Sequence, residues 1–202
     1  MTMKSEPTHS LSGPTPLPVA PLTWREVRAR LARDRERLEG CFRAYGMDVP
    51  RVLWLHPSYQ CVLLYRLSTY LFRHGRRFLA RLIWHANLFL TGADFSPISE
   101  IGPGLVVLHP VSTQIFGRIG ADCTMWGHGG IGGGRSGEDI GAGPGLPVVG
   151  DRVEFEPRSM ALGPVQIGDD CVLGAGSIVM SDIETGTVVE VPDRLMRTIR
   201  AA

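Results

Sequence analysis

From Val149 an apolar residue recurs at every sixth position, as Val149, Phe155, Ala161, Ile167, Leu173 and Val179, and few architectures tolerate that period. Ile101 with Val107, and Ile119 with Met125 and Ile131, keep the same spacing, with Thr113 the weak register position between them. Glycine directly follows the apolar residue at 102, 120, 132, 150, 168 and 174, and small residues stand four places on, as Cys123, Cys171 and Ser177. A sandwich strand would alternate with period two. A period of six instead describes a triangular coil, in which three six-residue faces make a turn of about 18 residues and the apolar residue points inward. Between Gly132 and Pro147, "GGGRSGEDIGAGPGLP" has too few side chains to fill coil corners, so it is expected to leave the coil as a Gly-rich loop and candidate active-site cover.

Upstream of the repeat the pattern is helical. Thr23 can cap a helix carrying Trp24, Val27, Leu31, Leu38 and Phe42 at helical spacing, with its many arginines and acids on a solvated face. "SYQCVLLYRLSTYLFRHGRRFLARLIWHANLFLTG" is more apolar and breaks at Gly75, predicting two packed helices. Its basic cluster, Arg73, His74, Arg76, Arg77 and Arg81, allows at most peripheral contact with an anionic membrane. No window reaches the roughly 18 apolar residues of a membrane span. The Pro-rich start lacks a signal-peptide core, so the expected location is cytoplasmic. A net charge of +1 over 202 residues gives no reason to expect nucleic-acid binding. Cys41, Cys61, Cys123 and Cys171 lack metal-ligand spacing and read as buried thiols in a reducing compartment; no metal is expected.

The chemistry-bearing residues are Asp94 and His109, fifteen apart in "GADFSPISEIGPGLVVLHP". On a coil of about 18 residues that spacing puts them on adjacent rungs, within reach of each other. A neutral imidazole held at Nδ1 by a carboxylate presents Nε2 to deprotonate a hydroxyl.

Together these segments resemble the serine acetyltransferase branch of the left-handed hexapeptide acyltransferases, over roughly Pro57 to Ile199. The likeness rests on "LYRLSTYLFRHGRRFLA", on "DFSP … LH" against the family's Asp and His fifteen apart, on "GGGRSGE" against its Gly-rich loop, and on "IGDDCVLGAGSIV" as a full coil. It implies an α+β chain of N-terminal helices followed by a left-handed parallel β-helix with an extruded Gly-rich loop. The expected divisions are a disordered lead at 1–22, a helical domain at 23–92, the β-helix at 93–188 and a tail at 189–202. It further implies a homotrimer with acetyl-CoA bound between neighbouring coils, His109 as general base and Asp94 as the acid that orients it. Gly132, Gly133, Arg135, Ser159, Ala175 and Arg194 match cofactor-contact positions, although the glycines serve turn geometry equally well.

Three departures shape the expected function. Leu108 stands where the family has an Asp, and Leu146 falls near a family histidine. A site for a zwitterion needs paired charges. Free L-serine is therefore expected to be a poor acceptor, with Leu108 and Leu146 lining a pocket for a sugar or another small metabolite. His128, 19 residues after His109, either replaces the lost histidine or is a coil-surface residue. The short helical segment predicts a trimer over a hexamer, and "RTIRAA" lacks the tail that docks a sulfhydrylase, so no cysteine synthase complex is expected. Transfer of another acyl group, a carrier-protein-bound partner and a weakly catalytic trimeric scaffold stand as alternatives.

Overall fold

The computed structural model describes residues 21–191. Thr23 closes a full capping box with Glu26 and starts α1 (Trp24–Ala44). His56 caps α2 (Pro57–Arg73), and α3 (Arg77–Thr91) follows the break at Gly75, ending on Gly92 in the left-handed conformation. Fourteen short strands follow among the described residues: β1 (Asp94–Phe95), β2 (Glu100–Ile101), β3 (Val106–Val107), β4 (Gln114–Ile115), β5 (Arg118–Ile119), β6 (Thr124–Met125), β7 (Gly130–Gly132), β8 (Val148–Val149), β9 (Glu154–Phe155), β10 (Met160–Leu162), β11 (Gln166–Ile167), β12 (Val172–Leu173), β13 (Ile178–Val179) and β14 (Val188–Val189). They wind into three parallel sheets ordered β1-β4-β7-β10-β13, β11-β8-β5-β2 and β14-β12-β9-β6-β3. This is the left-handed parallel β-helix that the resemblance implied.

Pairing runs from coil to coil. Glu100 pairs with Arg118, Val106 with Thr124 and Gln166 with Val148, each eighteen residues away. Arg118 pairs with Val148, thirty residues on, so twelve residues of the Gly-rich segment stand outside the coil. Every inward position is filled by one buried side chain, from Phe95, Ile101 and Val107 to Leu173 and Val179. Cys123 and Cys171 fill corners, their thiols donating to the carbonyls of Gly150 at 3.3 Å and Glu184 at 3.1 Å. Burial pushes the Cys123 thiol up to about 12.

The period slips at one corner. Ile115, not Thr113, takes the inward register position, because Asp94 pairs with Gln114 twenty residues on and Gln114 with Gly130 only sixteen on. The corner between β3 (Val106–Val107) and β4 (Gln114–Ile115) is thus two residues long, and the next is two short. His109 lies in the long corner. Thr113 is nevertheless buried, its hydroxyl donating to the His109 carbonyl at 3.1 Å.

The charged face of α1 is largely exposed, as at Arg25, Arg28, Arg35 and Glu36, but the helix is also fastened to the coil. Asp34, on the apolar stripe between Val27 and Leu38, is buried and takes both arms of the buried Arg66 guanidinium at 3.0 Å. Arg66 also donates to the carbonyls of Ile101 and Gly102, both at 2.6 Å, while Asp34 Oδ1 accepts from the N–H groups of Gly104 and Leu105. Two of these hydrogen bonds join the helices to each other and four join them to the first coil. Cys41 differs from the other thiols in being only half-buried.

Candidate active site

A cleft of about 780 Å³ opens where the helices meet the long corner. Phe42, Tyr45 and Met47 form one wall from the end of α1, and His56, Pro57 and Ser58 form a second from the start of α2. Leu108 to Val111, Trp126 and His128 supply the coil side. His109 and His128 are both exposed into it, the latter with φ 56°.

The backbone beneath His109 is tightly set. Gly127, at φ 116°, stacks under it, and a Cβ there would collide with the His109 carbonyl. Arg158 N–H donates to the Gly127 carbonyl at 3.0 Å and Gly176 N–H to the Pro157 carbonyl at 2.9 Å. One coil edge therefore runs from His109 through Gly127 and His128 to Arg158 and Ala175.

Asp94 lies on the neighbouring rung as its spacing predicts: its N–H donates to the Thr113 carbonyl at 2.9 Å, and Ser112 N–H to the Gly92 carbonyl. Its carboxylate, however, is engaged elsewhere. Oδ1 accepts from Trp84 Nε1 at 2.8 Å, and no hydrogen bond joins it to His109 among the described residues. Oδ2 carries no partner among those residues.

The other sequence candidates divide. Gly132 ends β7 (Gly130–Gly132), and Gly133 and Arg135 begin the exposed loop, at the opposite edge of the same sheet from His109. Ala175 is exposed on the histidine edge, its N–H donating to Glu156 Oε2 at 2.8 Å. Ser159 is fully buried with its hydroxyl donating to the Glu156 carbonyl, a corner-filling position that offers a cofactor no surface. Arg194 lies outside the described residues. Leu146 touches Gly133 and Gly143 within the loop and does not reach the cleft. Leu108 is a packing residue at the helix–coil junction with Leu38, Phe42, Leu53 and Val106, and its carbonyl accepts from Ser58 Oγ at 2.8 Å.

Sequence reasoning missed the helical wall. Its available signal was His56 before Pro57 and Ser58, where an imidazole can cap a helix whose N1 is proline. Trp126 was also missed; its Nε1 donates to Glu154 Oε1 at 2.6 Å, one coil on. Among the described residues no His, Cys, Asp and Glu cluster suits a metal, and no helix is long and apolar enough to cross a membrane.

Coil, extruded loop and exposed edge histidine define an acyltransferase of the left-handed β-helix class. No protein-family model matches the sequence. The serine acetyltransferase of Helicobacter pylori is 34% identical over 138 residues, spanning 67% of this chain and 78% of that protein. That of Mycobacterium tuberculosis is 33% identical over 146 residues, spanning 68% and 59%. Among solved structures, Neisseria gonorrhoeae serine acetyltransferase in complex with serine superposes with a TM-score of 0.73 at 24% identity, covering 84% of this chain and 68% of that one. A serine acetyltransferase complex with CoA gives 0.69 at 18%, covering 82% and 67%. The chain belongs to the serine acetyltransferase family and is an acetyl-CoA-dependent acyltransferase.

That membership corrects two expectations. The disfavouring of free L-serine, and with it the sugar or other acceptor, falls against relatives named for serine and a neighbour holding it. Leu108 packs at the helix–coil junction as well as lining the cleft, and Leu146 stays within the loop, so an apolar residue at 108 answers a packing demand and does not by itself exclude a charged acceptor. The expected absence of a cysteine synthase complex, read from the "RTIRAA" end, falls too against relatives that are serine acetyltransferases; that end lies outside the described residues.

Proposed function

We propose that the protein transfers the acetyl group of acetyl-CoA to the hydroxyl of L-serine. The observation that carries this is His109, exposed at a coil edge in an otherwise largely apolar cleft, in a chain whose relatives are serine acetyltransferases. His109 Nε2 takes the hydroxyl proton as the serine oxygen bonds to the thioester carbonyl carbon. The C–S bond then breaks, and the imidazolium returns the proton to the departing thiolate. Asp94 acts through its second oxygen: with Oδ1 held by Trp84, Oδ2 accepts from His109 Nδ1–H and fixes the tautomer. His128, on the same edge, faces the acceptor.

Acetyl-CoA is proposed to lie along the edge from His109 past Arg158 to Ala175, which is side-chain-poor at Gly127 and Gly176. The working unit is proposed to be a trimer. On the β1-β4-β7-β10-β13 sheet, Met160, Leu162, Ile178 and Met180 alternate with the inward Ala161 and Val179, and Ile178 and Met180 are 61% and 70% exposed. A ring packed through that apolar face sets the Gly-rich loop of one subunit, with Gly132, Gly133 and Arg135, against the histidine edge of the next. The loop N–H groups would then stabilise the oxyanion. Cysteines free of disulfides fit a cytoplasmic location.

Thiol release from acetyl-CoA in the presence of L-serine tests the reading, with His109→Ala as control. Serine-dependent release that His109→Ala loses by about a hundredfold or more is expected. Absence of release with L-serine, or its persistence in His109→Ala, would refute it.

A further inference from the structure

The cleft holds a third imidazole, His56, delivered by the helical part of the chain. As N-cap of α2 its Nδ1 accepts the Ser58 N–H at 3.3 Å, so the neutral ring carries its proton on Nε2. The ring stands edge-on to Phe42, 5.1 Å between centroids, which fixes its plane. Burial against this wall lowers its pKa, keeping the ring neutral at pH 7 with Nε2–H as a donor. No described residue accepts from Nε2.

Few other donors face the cleft. Within one subunit neither lysine nor arginine lines it. Trp126 Nε1 is spent on Glu154 and the Ser58 hydroxyl on the Leu108 carbonyl. His109 has to stay unprotonated to act as base. That leaves His56, His128 and Tyr45, and of these only His56 is held both by a hydrogen bond to its ring nitrogen and by an aromatic contact. An amino-acid acceptor brings a carboxylate, which a largely apolar site can hold only through such donors.

We infer that His56 is a specificity residue of the acceptor site, donating Nε2–H to the carboxylate of the incoming amino acid. The inference rests on L-serine being the acceptor.

Two substitutions separate capping from binding. In His56→Asn the short amide oxygen still accepts from Ser58 N–H, as a favoured N-cap, but the distal donor is gone. His56→Gln gives up the cap and carries an amide N–H out to the region of Nε2. With wild type active on L-serine, His56→Asn is expected to raise KM for L-serine about tenfold or more, with KM for acetyl-CoA and Tm unchanged. His56→Gln should restore much of the serine KM at a lowered Tm. Serine methyl ester, lacking the anionic carboxylate, should be discriminated against by wild type and not by His56→Asn. A serine KM in His56→Asn within about twofold of wild type would overturn the inference while leaving the acceptor intact. A wild-type protein inert towards L-serine would overturn both.

Discussion

Replacing Asp34 with alanine should weaken the hold of the helical wall of the cleft on the coil. The change strands the Arg66 guanidinium, whose side chain is 3% exposed, and takes the acceptor from the N–H groups of Gly104 and Leu105. Breaking a buried pair of this kind costs about 3–5 kcal/mol, because the remaining charge stays desolvated. Water entering the alanine-sized gap returns part of the backbone loss, so about 4 kcal/mol is the working figure. At roughly 2–4 °C per kcal/mol for a chain of this length, Tm should fall by about 8–16 °C. Calorimetry at fixed protomer concentration reads this, since assembly shifts Tm by mass action. Asp34→Asn, which keeps an oxygen for Gly104 and Leu105, should lose less. Asp34→Leu with Arg66→Met should recover part of the loss, and the cycle should report a coupling of about 2 kcal/mol or more. A drop in Tm under about 3 °C for Asp34→Ala would mean that the pair is solvated in solution and that the helices are held by their other contacts, such as Ser58 with the Leu108 carbonyl and Tyr65 with the Ser99 carbonyl.

The remaining predictions concern catalysis, assembly and thiol reactivity. Asp94→Asn should lower kcat by about tenfold or more through loss of the imidazole tautomer, whereas Trp84→Phe, which leaves the carboxylate in place, should stay within about threefold; equal losses would count against Oδ2 as the orienting atom. Ile178→Lys with Met180→Glu should convert a particle of three times the 22.1 kDa chain mass into monomer by light scattering, with activity lost in parallel; an active monomer would remove the loop of a neighbour from the site. Arg158→Glu should raise KM for acetyl-CoA and spare that for L-serine if the donor follows the coil edge. At pH 8 a thiol reagent should label Cys41 first in the native protein, because Cys61, Cys123 and Cys171 are buried; burial raises the pKa of the Cys41 thiol too, so the labelling should be slow. Fast modification of a second cysteine would show that the coil opens readily.

The coil was legible because its signal is local and repeated: a side chain at every sixth position has one place to point, and Phe155, Ile167 and Leu173 point there. The same arithmetic singled out Asp94 and His109; the backbone N–H of Asp94 does donate to the carbonyl of Thr113, just past His109, but its carboxylate is held by Trp84. What arithmetic could not supply was the partner of each polar group. Trp84, ten residues before Asp94, sits on a helix whose docking angle no period encodes. Asp34 read as one more charge on a basic helix because its counter-ion, Arg66, is thirty-two residues away on another helix. His56 and Trp126 meet in one cleft only after three elements converge. Leu108 has two roles, packing with Leu38 and Phe42 and lining the cleft, and only the second was read from the sequence.

The long corner at His109 has a consequence for how such a chain can change. The two residues gained between β3 and β4 are given back between β4 and β5, so Gly130 and everything after it return to the phase set by Asp94. A coil of this kind absorbs a length change within a single turn, because its hydrogen bonds run to the turns above and below and impose no fixed count between corners. The reactive edge can therefore be redrawn by paired insertion and deletion while the stack that supports it keeps its place.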